Sequence, residues 1–360
     1  MANFDNPPLK PRRRPWWIAA AGLALLALAY SLFWFSVATK SRDAVVQWID
    51  TQRANGFTVR HDSLVTSGFP FSIRLRFINP GFGAPHVRSP WGWEADNLNL
   101  MIKPWNVQDI RATTSGSQML ALALKGKTET FNGEAEKAEL ALRLSGGEPR
   151  SGHLLLKGIE LKAETIGQTG ISVAVADLQI ERLVTGKADY LTASASLSAS
   201  MQGIEGPWLN ASPLGGLVQS LALEARQMGS FDQGPLVESL ENWRDNGGTI
   251  EIGTLNFQHG PLKFRADGTL ALDDKLQPIG ALTARVEGFF ETIDALKQLG
   301  VVKSRDATTA KMVLGVLSRK SSSGGPAHLN LALSAQSGRL YAGPIALMEL
   351  PKVDWRGFKN

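Results

Sequence analysis

Five histidines, His61, His86, His153, His259 and His328, are the residues best suited to proton transfer or metal ligation in this chain. They lie far apart, and no two of them have ligand spacing. No cysteine is present, which removes thiolate nucleophiles, zinc–thiolate centres, iron–sulfur clusters and disulfides. Neither a Gly-x-Ser-x-Gly elbow nor a His-Glu-x-x-His pair occurs. The acidic pair Asp273-Asp274 reads as a turn, where aspartate bonds to its own backbone, and not as the carboxylate pair of a glycosidase. The run Ala121-Leu122-Ala123-Leu124-Lys125-Gly126-Lys127-Thr128 has the outline of a phosphate-binding loop. Its loop portion alternates like a strand and no helix pattern follows, so the cradle of backbone N–H groups is not expected. No catalytic residue, metal, nucleotide or cofactor is assigned, and an envelope hydrolase is kept as a minor alternative.

Aromatic residues carry the stronger signal. Trp91 and Trp93 sit two apart in an extended stretch, and Trp105 follows Lys103-Pro104. These rings read either as an interfacial or ligand-contacting patch or as a sheet edge packed by large side chains. Phe69 and Phe71 flank Pro70 in what reads first as a turn with both rings folded into the core. Phe69, Phe71, Trp91, Trp93 and Trp105 are therefore the ligand or interface candidates.

The elements that position them begin with a membrane segment. No charged residue occurs from Pro15 to Thr39, a length above the ~20 residues needed to cross the hydrocarbon core. Trp16 and Trp17 stand at one end and Tyr30, Trp34 and Phe35 toward the other, as rings at two headgroup levels would. Arg12, Arg13 and Arg14 precede the run, which predicts a cytoplasmic tail over 1–14, an anchor over 15–39 and export of the rest. A signal peptide cleaved after Ala38 is the alternative, though the apolar run exceeds the usual ~7–15 residues and Trp34 and Phe35 crowd the site.

Net charge is +5, from 38 Lys+Arg and 33 Asp+Glu. Residues 1–39 hold four basic groups against Asp5, which leaves 34 basic against 32 acidic in the remaining 321. The folded part thus lacks the basic face a nucleic-acid partner would require.

Ser41 to Asn55 has helical spacing, with Ser41 as its cap and Gly56 as its stop, giving a juxtamembrane helix over 40–56. From Phe57 the period becomes two. Alternating stretches such as 71–77, 139–144, 153–157, 173–175, 249–252, 262–265, 269–272, 282–286 and 329–333 follow, separated by turn residues including Gly146-Gly147, Asn246-Gly247-Gly248 and His259-Gly260-Pro261. Helices are expected over 235–245, 289–299 and 305–319, with a flexible loop at Ser321–Gly325. The fold class is mainly β (α+β): an apolar N-terminal helix, then a large, mostly antiparallel, curled or folded-over sheet over 57–360 with a few short covering helices. On the order of fifteen strands exceed what three short helices can cover. The sheet must fold over itself, close, or leave an apolar trough occupied by a lipid or a partner.

One resemblance joins these features. The anchor and short helix are followed by Ser67-Gly68-Phe69-Pro70-Phe71-Ser72-Ile73-Arg74-Leu75. Next come Asn97-Leu98-Asn99-Leu100-Met101-Ile102-Lys103-Pro104-Trp105-Asn106, Gly268-Thr269-Leu270-Ala271-Leu272-Asp273 and Leu276-Gln277-Pro278-Ile279-Gly280. This order resembles the bacterial family called domain of unknown function 2125, across most of the exported part. It is more distantly similar to the periplasmic β-rich proteins of the AsmA-like group. The nearer family implies no activity and no site residues. The wider group implies inner-membrane anchoring and a role in envelope lipid homeostasis or lipid transfer. A periplasmic domain that binds lipid or another amphiphile is therefore expected, with docking of an envelope protein partner, by a sheet edge or the Trp91/Trp93 patch, as the alternative. At ~4.8 Å per strand the chain is too short to bridge a whole periplasm alone.

Overall fold

The computed structural model describes residues 16–87, 89–124, 126–165, 169–184, 186–232, 234–300, 302–318 and 326–355. The basic tail over 1–14, Lys125, Arg319 and the Ser321–Gly325 loop of the sequence reading lie outside the described residues.

Helix α1 runs unbroken from Trp16 to Ala54. The expected break at Ser41 does not occur: Thr39 donates its hydroxyl back to the Phe35 carbonyl at 2.9 Å, and the helical bonds continue through Ser41. The 40–56 helix is thus the continuation of the apolar one. At its end Gly56, with φ 88°, donates to Arg53 and Phe57 donates to Gln52, the paired bonds of a Schellman stop. Among the described residues α1 is the one helix long and apolar enough to cross a membrane.

After α1 the chain forms one antiparallel meander. Its strands are β1 (Thr58–Arg60), β2 (Ser63–Ser67), β3 (Ile73–Ile78), β4 (Gly81–Ala84), β5 (Trp91–Lys103), β6 (Asn106–Leu124), β7 (Lys127–Ser145), β8 (Glu148–Ala163) and β9 (Ile171–Arg182). It continues through β10 (Ala193–Glu205), β11 (Leu217–Met228), β12 (Thr249–His259), β13 (Leu262–Leu272), β14 (Pro278–Glu287), β15 (His328–Gln336), β16 (Arg339–Ala342) and β17 (Ile345–Glu349). From β5 onward every strand pairs with its neighbours in sequence. On the other side of β5, β3 and β4 pair with its two halves, β2 with β3 and β1 with β4. Asn79 and Pro80 carry the ladder across the β3–β4 break through bonds with Asp96 and Ala95. The sheet is open, with β1 and β2 at one edge and β17 at the other.

Many strands run far longer than the alternating stretches legible in sequence. In β8 the apolar residues on the face of Leu154 change from even to odd positions at Gly158: Leu154 and Leu156 precede it, and Ile159 and Leu161 follow. Gly158 has φ 56°, and a left-handed residue turns the next peptide over, which restarts the alternation on the other parity. In β10, Gly203 does the same with φ 62°. In β8 and β10 the sequence pattern therefore changes phase midway.

Helix α2 (Leu236–Asp245) joins β11 to β12, and α3 (Phe289–Gln298) and α4 (Ser304–Leu317) join β14 to β15. The Asn246-Gly247-Gly248 turn, expected to close a hairpin, instead ends α2: Gly247 and Gly248 donate to the carbonyls of Arg244 and Trp243. Trp243 is buried and donates its indole N–H to Met228 at 2.8 Å, fixing α2 against the end of β11. These helices sit at strand ends and leave the middle of the sheet uncovered by any other described layer.

Candidate functional site

Direct cross-strand partners share one face of a sheet. Followed from strand to strand, the register produces a single line across twelve strands, β3 and β5 through β15. It runs Leu75, Leu100, Ala112, Leu140, Leu154, Leu178, Ala199, Leu223, Leu255, Ala266, Ala284, Leu331. Every residue in it is apolar. A second line beside it begins Ile73, Ile102, Ile110, Leu142 and ends Leu282, Leu333, Ala342. On the opposite face the line flanking the first, on the side away from the second, carries Arg76, Asn99, Thr113, Glu139, Asp177, Ser200, Asn256, Arg265, Arg285 and Asn330, broken by Leu155 and Ala222. At ~4.8 Å per strand, the eleven spacings of the apolar line extend over roughly 50 Å.

The two ends of this face are packed, and along its middle the line is half-buried from Leu140 to Leu255 except at Leu178. At the α1 end, Trp34 and Ala38 are buried with Ile73, Leu75 and Ile102. Toward β15, Ala266, Ala284 and Leu333 are buried under Phe264, Leu282, Leu331 and Leu340. Between them Leu178 is 36% and Ile180 55% exposed. Two open depressions of about 630 and 450 Å³ lie elsewhere, on the flanks of α1 (around Val46) and α4 (around Val313).

The candidate aromatics fall into two groups, not one. Trp91 and Trp93 start β5 and lie two apart on one face. Trp93 donates to Gln118 at 3.0 Å, and Trp91 meets Phe82, which stacks on Trp48 of α1 and on Phe57. Trp105 is at the far end of the same strand, in the β5–β6 turn. A strand of 13 residues separates Trp105 from the tryptophans with which sequence proximity had grouped it.

The Phe69 and Phe71 rings do not fold into the core: they are 51% and 74% exposed. Their turn lies at the end of the sheet and not beneath it, so the core has no room for them. Phe69 packs instead on α1, with ring centroids 5.5 Å from Trp34, 6.3 Å from Phe35 and 6.4 Å from Tyr30. Tyr30 donates to the Pro70 carbonyl at 2.5 Å. Trp34, expected in an aromatic belt facing lipid, is 4% exposed and faces the sheet; Trp16, Trp17 and Phe35 are exposed. The packing of Trp34 had no signal in the sequence, where it stands among residues of uniform apolarity.

Two of the histidines make local contacts. His153 lies 3.1 Å from Asp177, half-exposed on the polar face. His259 Nε2 is 2.7 Å from the Gly215 carbonyl and 3.3 Å from Ser212 Oγ. A carbonyl can only accept, so this nitrogen carries a hydrogen and cannot take one from Ser212. Among the described residues no group of three His, Asp or Glu side chains is placed to hold a metal ion. Of the phosphate-loop string, Ala121 to Leu124 end β6 and Lys127 and Thr128 begin β7. Near the start of β6, Asp109 is held below its ordinary range by the Arg143 guanidinium at 3.0 Å, against the opposing pull of desolvation, with help from Asn106.

A family profile described as an uncharacterized protein conserved in bacteria (DUF2125) matches residues 34–351. The chain belongs to this family. The matched segment opens at Trp34, the first buried residue of α1, and closes just beyond β17, so the family unit is the sheet together with the part of α1 that packs on it. No curated protein matches the chain. No solved structure matches it. The AsmA-like resemblance accordingly stands on the order of elements alone.

Proposed function

We propose that this DUF2125 member is a non-enzymatic, single-pass protein of the bacterial inner membrane. In this reading the tail before α1 is cytoplasmic, the sheet lies in the periplasm, and lipid or another amphiphile occupies the apolar face. The apolar line from Leu75 to Leu331 carries the reading. Acyl chains need a long, unbroken apolar surface and no polar partner, and a face of this length left open to water would be costly in a monomer. The anchor reading is supported by the exposed apolar start of α1 and by Arg12, Arg13 and Arg14 before it.

The test places a photoreactive residue at Leu178, and separately at its neighbour Asp177, in the full chain in cells. Lipid adducts at Leu178 and none at Asp177 are expected. Equal labelling of both, or none at either, removes the amphiphile.

A second reading is docking of an envelope protein partner at the β17 edge. Every residue of β17 is exposed, including Ile345, Leu347 and Met348. An apolar edge strand with free backbone groups is a template for another strand. A photoreactive group at Leu347 separates the readings, since a protein adduct there supports docking.

A further inference from the structure

The place where α1 meets the sheet fixes how far the sheet stands from the bilayer. Residues from Trp34 onward are committed to the sheet by the burial of Trp34, Ala38 and Ile49. Of the described residues, that leaves Trp16–Phe33 for the span, eighteen residues, or about 27 Å at 1.5 Å each. The hydrocarbon core is ~30 Å thick. No residues remain to act as a spacer, so Trp34 and Phe35 must lie at headgroup depth. Phe69, in ring contact with both, lies at the same depth.

Two turns share that edge. The β2–β3 turn carries Phe71, two residues before Ile73; the β5–β6 turn carries Trp105, three residues after Ile102; and Ile73 and Ile102 are direct partners. Phe71 is 74% and Trp105 61% exposed, with Val107 beside them at 46%. Behind these side chains Arg74, Lys103 and Arg111 are exposed, and none is in an ion pair among the described residues. Apolar rings backed by cations are the arrangement that suits the boundary between acyl chains and lipid phosphates. The next turn on this edge, Gly146-Gly147, has no ring.

We infer that the edge formed by the β2–β3 and β5–β6 turns is seated in the headgroup layer of the bilayer that α1 crosses, with Phe71 and Trp105 inserted and Arg74, Lys103 and Arg111 facing lipid phosphates. The inference rests on the anchor reading above and not on the amphiphile reading. It places the start of the apolar line, at Leu75 and Leu100, directly above the lipid surface.

The chain has no cysteine, so single-cysteine variants label at one place. Phe71→Cys, Trp105→Cys and Val107→Cys are made in the full chain, each labelled with an environment-sensitive fluorophore. The proteins are reconstituted in phosphatidylethanolamine–phosphatidylglycerol vesicles whose acyl chains are brominated at known depths. Leu26→Cys in α1 and Ile345→Cys in β17 serve as references. Quenching at 71, 105 and 107 by shallow bromines, with deep quenching at 26 and none at 345, is the expected result. Quenching at 26 with none at 71, 105 or 107 overturns the seated edge while leaving the anchor in place. No quenching at 26 overturns the anchor and the edge together. Quenching at 345 as strong as at 71 overturns the edge-on seating, because the sheet would then lie flat.

Discussion

The indole N–H of Trp34 donates to the backbone carbonyl of Ser72 at 3.1 Å, tying the helix to the turn of the first hairpin 38 positions along the chain. The ring is 4% exposed and packs on Ile73 and Leu75, both fully buried. One residue therefore both bonds and packs α1 to the sheet, and the orientation of the sheet relative to any bilayer passes through this contact.

Replacing Trp34 separates these contributions. Trp34→Ala is expected to cost about 3–5 kcal/mol through lost packing, whereas Trp34→Phe keeps most of the ring and costs about 1 kcal/mol for the bond. Thermal unfolding of the full chain in detergent, followed by circular dichroism, measures both. Equal losses for the two variants would contradict this division.

Gly158 is where β8 changes phase. A Cβ there would collide with the Glu136 side chain, and φ is 56°. Gly158→Ala should destabilise by about 1–2 kcal/mol, the cost of a side chain in the left-handed region. Gly92→Ala meets nothing within 4 Å and has no positive φ, so it should fall within ~0.5 kcal/mol of the parent. The same melts compare them.

Leu223 and Glu224 are neighbours on opposite faces of β11. Leu223→Glu puts a carboxylate on the apolar line and is expected to abolish most lipid crosslinking at Leu178 while leaving the β spectrum intact. Glu224→Gln, on the polar face, should leave crosslinking unchanged. Adduct yield by mass spectrometry, beside circular dichroism of each variant, checks this.

Acid stability follows from Asp109. Its folded pKa lies below the ordinary 3.8, so its pairing with Arg143 stabilises the fold at pH values above 3.8 and is lost as pH falls through the lowered value. Asp109→Asn should therefore be slightly less stable than the parent at neutral pH, the margin being small because the pair is exposed. The two should converge in stronger acid. Unfolding midpoints at stepped pH give the difference, and a gap that widens on acidification would reverse the assignment.

Much of the fold was legible because β13 and β14 alternate with one parity from end to end, and because α1 is uncharged over a bilayer's width. The long strands read as fragments, since Gly158 and Gly203 reset the alternation and a period-two search ends at each. Helix α1 read as two, because Ser41 and the charges after Lys40 imitate a helix start. The site was half legible. Trp91 and Trp93 do share a face, but Trp105 was grouped with them by proximity along the chain, which an extended strand converts into separation. The turn at Phe69–Phe71 looked like core because its residues are apolar, whereas both rings stand exposed at the end of the sheet.

Photoreactive residues at Leu140, Leu223 and Leu331 test the central claim most directly, because they lie near the start, in the middle and at the end of one apolar line. Lipid adducts at all three in cells are predicted, with none at their neighbours Glu139, Glu224 and Asn330. Adducts confined to Leu140, or a face free of lipid throughout, would contradict a continuous amphiphile path.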